Sequence, residues 1–150
     1  MREYHGYTNW LAAAERHYMD SRIKRPTDGF NLTVIFQYYR DLPTAMIFYE
    51  EVLGFELSID QGWSKIYLIE GQSNIGLVDD SKGMQHWAEV KTCQICLRVP
   101  DVDVWYRWVS QEEVSGLTEL RYNKELGIRA FAFLDPEGYQ IEVQTADPGH

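Results

Sequence analysis

Glu142 is the residue in this chain best placed to do chemistry. It lies in FLDPEGYQIEVQ (133–144), a segment otherwise patterned for burial. A carboxylate in such a place holds a cation, pairs with a base or takes a proton from a substrate. Three polar residues can face it. Gln94 offers a neutral amide, and Arg98 shares strand parity with Gln94, so both point to one side. Arg129 opens the neighbouring strand. A Glu142–Arg98 or Glu142–Arg129 ion pair is the plain structural expectation. A catalytic Glu142, acting as general base, is the chemical one, although the chain offers it no partner acid and no oriented histidine. Cys93 and Cys96 form CQIC, a formal C-x-x-C. The stretch TCQICLRV reads as a strand, which sends residues three apart to opposite faces. No second Cys or His pair lies nearby to complete a tetrahedral zinc site, so two half-buried reduced thiols are expected. His5, His17, His86 and His150 lack ligand spacing.

Composition narrows the classes. The 150 residues are 45% hydrophobic and 14% aromatic, enough to bury a core. A net charge of −9 disfavours non-specific nucleic-acid binding, which needs a basic face. No apolar run approaches the ~20 residues of a membrane span. MREYHGYTNW has no apolar signal-peptide region, so the cytoplasm is the expected location.

The elements that must position Glu142 fall into an extension and a repeat. Residues 1–30 read as an added helical extension. NWLAAAERHYMDSRIK is rich in helix formers, with Thr8 or Asn9 as cap and Pro26 as stop. GYTNWLAAAERHY resembles the last helix of AraC-type DNA-binding domains, without the helices that precede it there. That likeness implies a third reading, a ligand-sensing domain related to a transcription regulator. From residue 31 the chain runs through one plan twice. The first pass, about 31–80, has a β-rich start LTVIFQYYRDL, a helix PTAMIFYEEVLGF stopped at Gly54, and strands FELSID, WSKIYLIEG and NIGLVDD. The second, about 93–145, has CQICLRVPDV, a helix DVWYRWVSQEEV with Asp103 as cap, and strands near LTELRY, IRAFAFL and YQIEVQ. In DPEG, Pro136 and Gly138 suit a type I turn, joining the last two strands as a hairpin. The fold class is therefore α+β, paired βαβββ modules in residues 31–150, with an added N-terminal helix.

FYEEVLGFEL and GIRAFAFLDPEGYQIEVQ at this spacing, with the repeat, resemble the vicinal oxygen chelate superfamily: glyoxalases, bleomycin-resistance proteins and extradiol dioxygenases. The resemblance implies sheets curled into an open cup that holds ligand and metal, usually in a homodimer. It also implies metal ligands, His or Gln on the first strand of each module and Glu on the last. Superposing the two passes on Asp41/Asp101 and Ile75/Ile141 matches Val34 with Gln94 and Gly76 with Glu142. Half of the implied ligand set thus has no donor side chain. No cofactor is expected; a divalent metal, if bound, would use Gln94 and Glu142. Parity places Phe36 and Tyr38 beside Val34, and Phe131 with Phe133 on one face, with Trp63 and Tyr67 on the third strand of module 1. Together they form an expected aromatic cup suited to a planar or cationic molecule. Trp105 and Trp108 are expected in the core or at an interface. GIRAFAFLDPEG resembles the bleomycin-resistance branch more than glyoxalase I, and missing ligands, rings and an acidic chain agree with the metal-free binding that this branch implies. The expected function is metal-free binding of a small aromatic or cationic molecule, without nucleic acid or membrane as partner. The alternative is a divergent metal-dependent glyoxalase-like lyase or dioxygenase.

Overall fold

The computed structural model describes residues 30–146, and the chain divides into two units, Met1–Asn31 and Leu32–His150. The helix expected over 9–24 lies outside the described residues. Module 1 runs β1 (Thr33–Tyr39), α1 (Leu42–Glu51), β2 (Glu56–Asp60), β3 (Ser64–Glu70) and β4 (Ser73–Asp79). Module 2 runs β5 (Gln94–Arg98), α2 (Val102–Val109), β6 (Arg121–Asn123), β7 (Ile128–Leu134) and β8 (Gln140–Ala146). Each module forms a four-stranded sheet of the same order, β1-β4-β3-β2 and β5-β8-β7-β6. The first strand pairs in parallel with the last, and the other pairs are antiparallel. Among the described residues no helix is long and apolar enough to cross a membrane.

Local chemistry explains the helix limits. Asp41 caps α1 by accepting from Thr44 N at 3.1 Å and Thr44 Oγ1 at 2.8 Å, and Pro43 sits in the first turn, where its missing N–H costs nothing. Gly54, at φ +68°, ends the run, as read from sequence. In α2 the cap is Asp101, which accepts from Asp103 N and Val104 N at 2.9 and 3.2 Å. Asp103, expected as the cap, is the second residue of the helix and instead takes the Arg129 guanidinium on both oxygens, one of them at 2.8 Å. That helix ends at Val109, and LTELRY forms a strand only from Arg121. The DPEG turn closes as expected, with Gly138 N donating to Asp135 O at 3.1 Å and Gly138 at φ +89°.

One apolar core joins the modules. Phe48 and Tyr49 of α1 share one buried cluster with Phe133, Ile141 and Val143 of module 2, and the Phe48 and Phe133 rings lie 6.2 Å apart. Within it lies a polar knot. Tyr39 donates to Asp135 Oδ2 at 2.7 Å; the Tyr49 hydroxyl lies 3.0 Å from that of Tyr39 and 3.0 Å from Gln37 Oε1. Asp135 Oδ1 accepts from the amides of Glu137 and Tyr139. Tyr139 closes the seam by accepting from Tyr38 N at 3.1 Å. The linker is fastened too: Arg40 stacks on Trp87 at 3.6 Å, and Lys91 Nζ lies 4.3 Å from the rings of both Trp87 and Tyr139.

Burial pushes the Asp135 carboxyl up, against the hydrogen bonds from Tyr39 and the hairpin amides that draw it down. A raised acid favours its protonated form in the folded state. Its stabilising contribution is therefore complete below the unfolded carboxyl value of about 4 and is lost as pH rises through the folded value. Asp135→Asn has no such dependence. The stability difference between the two proteins, measured by urea unfolding, is expected to shift in favour of the variant between pH 4 and pH 8; a flat difference would count against a raised Asp135.

Candidate functional site

Because both sheets turn one row of side chains into the shared core, the other row of each faces away from it. In β8, Ile141 and Val143 are fully buried, so Glu142 and Gln144 belong to the outer row. Parallel pairing sets Cys96 opposite Glu142 and Arg98 opposite Gln144. On the other side, β7 sets Ala132 opposite Glu142 and Ala130 opposite Gln144. These two alanines form a low floor. With Thr118, Arg121 and Glu142 they line an open hollow of about 440 Å³.

Glu142 is half-buried and keeps neutral company. Gln144 Nε2 donates to its Oε1 at 3.2 Å and Gln94 Nε2 lies 3.5 Å from its Oε2. The Cys96 thiol stands 3.8 Å from Oε1. Among the described residues no cation pairs with it, so neither expected ion pair forms. Arg98 does lie on the same face. Arg129 does not, because its parity with Phe131 sends it to the helix side, where Asp103 holds it.

Module 1 offers a different surface at the matching positions. Phe36 pairs with Gly76, and Val34 with Asn74. A Cβ on Gly76 would collide with the Phe36 ring and lie 3.1 Å from Val34 Cγ1. The ring therefore occupies the place that the Glu142 side chain takes in module 2. Phe36 is 45% exposed, so one ring face is free.

The expected aromatic cup is thus only partly assembled. Phe36 and Tyr38 share the outer row of β1. Tyr67 is fully buried opposite Ile75 on the helix side, with its hydroxyl on Glu50 at 2.6 Å. Phe131 and Phe133 are likewise buried opposite Val143 and Ile141. All three belong to the core, and a period of two carried across the hairpins from Glu142 and Gly76 would have placed them there. Trp63 is half-exposed at the β2–β3 turn, outside both strands. Trp105 packs against the core, and Trp108 donates to Val52 O at 2.9 Å. Both cysteines are free and exposed where half-burial was expected: Cys96 stands in the outer row of β5, and Cys93 precedes that strand. Cys96 was the neighbour of Glu142 that sequence reading passed over; the register Ile95↔Ile141 carries it there.

Two four-stranded mixed sheets with open outer faces, built from repeated βαβββ units, define a glyoxalase-like α+β fold. The family model described as Glyoxalase/Bleomycin resistance protein/Dioxygenase superfamily matches residues 29–143, and the chain belongs to that family. Solved structures agree on the fold. A lactoylglutathione lyase from Agrobacterium tumefaciens is 21% identical, with 80% of this chain and 95% of that one covered and a TM-score of 0.62. A glyoxalase/bleomycin resistance protein/dioxygenase from Nocardioides is 17% identical over 93% and 95%, TM-score 0.66. The fosfomycin resistance protein FosX from Listeria monocytogenes is 16% identical over 81% and 97%, TM-score 0.64. No curated protein sequence matches the chain.

The divalent metal that this family implies does not fit the side chains present. Val34 and Gly76 offer no side-chain donor, and Phe36 covers Gly76. Gln94, Cys96 and Glu142 all stand on one sheet, leaving half of a coordination sphere without protein donors. Among the described residues no three His, Cys, Asp or Glu side chains gather as a metal group. Gly76→Ala must displace the Phe36 ring and is expected to cost about 1–3 kcal/mol. Adding Phe36→Ala should remove most of that cost in a double-mutant cycle; additive losses would show that the ring is not what fills the site.

Proposed function

We propose that the chain is a metal-independent small-molecule-binding protein of this family that seats a cationic ligand against Glu142. The observation that carries this reading is a half-buried carboxylate beside an open hollow, satisfied only by neutral groups. Such a group is incompletely compensated, and a ligand ammonium or guanidinium would supply the missing charge-assisted bond. The aromatic part of the ligand would stack on Phe36, whose free face offers the contact that the sequence reading sought in a wider cup. Trp63 is a peripheral contact in this proposal.

Phe36 and Glu142 stand on different modules, each facing away from the common core. A homodimer that sets the module 1 face of one copy against the module 2 face of the other would complete the site. Such a dimer is read from the resemblance and from the incompleteness of each face alone. Cytoplasmic action belongs to the same proposal. A metal-dependent lyase or dioxygenase, the alternative that the resemblance implies, would need donors beyond the Gln94, Cys96 and Glu142 of this face. It requires activity or binding that chelation abolishes.

Cys96 and Cys93 provide a footprint. A bound benzylammonium-type cation is expected to slow alkylation of Cys96 by iodoacetamide and to leave Cys93 unchanged, as read by peptide mass spectrometry. Glu142→Gln should weaken binding of that cation by about tenfold or more, the scale of one lost charge-assisted bond. EDTA should alter neither result. Equal protection of both thiols, or full affinity in Glu142→Gln, would remove the basis for the assignment.

A further inference from the structure

The outer face of module 2 carries a second charge that its neighbours leave unused. Arg98 lies on β5 one outer-row position beyond Cys96, and it is exposed. Among the described residues it takes part in no ion pair. The cation that lines the hollow is committed elsewhere, with Arg121 held by Glu119 at 2.9 Å, while Arg98 stands outside that lining on the same sheet face. Arg98 and Glu142 therefore stand on one face of two paired strands, opposite in charge and not neutralising each other.

Successive outer-row positions are roughly 7 Å apart along a strand. Diagonal neighbours across a pair are within reach of long side chains, so an Arg98–Glu142 bridge is not barred by distance alone. Gln144 stands directly opposite Arg98 in the register, and its amide turns toward Glu142 Oε1 at 3.2 Å and toward the Cys96 thiol. The Gln144 amide is thus bonded to the carboxylate, and among the described residues no ion pair joins Arg98 to it. A surface with fixed plus and minus charges complements a molecule with the reverse arrangement.

We propose that the ligand of this face is zwitterionic, placing an ammonium group on Glu142 and an anionic group such as a carboxylate on Arg98, its diagonal neighbour across the β5–β8 pair. This rests on the reading of Glu142 as a counter-charge and adds the opposite pole. Guanidinium suits the anionic end because its fork of donors meets two oxygens at once. The two poles face each other diagonally across the β5–β8 pair, and the low floor of Ala130 and Ala132 lies beyond Glu142 on β7.

The test uses the full chain and three uncomplicated probes measured by calorimetry. These are 4-(aminomethyl)benzoate, which carries both charges across one ring, benzylamine, which keeps only the cation, and 4-methylbenzoate, which keeps only the anion. The zwitterion is expected to bind about tenfold or more tighter than either singly charged probe. Arg98→Gln should reduce its affinity to that of benzylamine, and Glu142→Gln to that of 4-methylbenzoate. If benzylamine binds as tightly as the zwitterion and Arg98→Gln changes nothing, the zwitterion proposal falls while the cation reading stands. Absence of binding by both would overturn the two together.

Discussion

The structure depends on one buried carboxylate. Asp135, in the β7–β8 turn of module 2, gathers the hydroxyls of Tyr39 and Tyr49 from module 1 and two amides of its own hairpin. A carboxylate 1% exposed is tolerable only because each oxygen is so engaged. Each such bond contributes about 1 kcal/mol net, and leaving a partner orphaned costs more. The knot sets β1 against the far turn of the second sheet. With that register fixed, the inner rows of both sheets share one core and the outer rows are committed to solvent or ligand.

From this constraint follows an asymmetry between related halves. The same plan gives two outer faces, and matching positions carry opposite chemistry. Module 1 presents Phe36 lying on Gly76, an apolar plate. Module 2 presents Glu142 among amides and a thiol over an alanine floor. The two passes thus present unlike surfaces at matching positions. In the proposed function the ring face and the charge act on the same ligand from opposite sides.

Much of the architecture was legible because repeated hydrophobic periods and turn residues specify it locally. The Gly54 stop, the DPEG hairpin and the Val34/Gln94 and Gly76/Glu142 correspondences came straight from spacing. The side-chain faces were harder. Tyr67, Phe131 and Phe133 are rings, and rings suit a cup and a core equally; only the register against Ile75, Val143 and Ile141 decides. Arg129 was misplaced for the same reason, since its partner Asp103 lies 26 residues earlier, on a helix whose cap is Asp101. Composition and motif carry no information about which charges meet across such distances.

The packing of Phe36 on Gly76 also restricts how this molecule can change. A carboxylate arriving at position 76 in one step would be driven into the aromatic ring, so a metal-binding descendant could not be reached by that substitution alone. The ring must shrink first, and that intermediate would lose the apolar plate before any ion compensated for it. The ring and a carboxylate cannot hold that place together, so a donor at position 76 would come only with loss of the apolar plate.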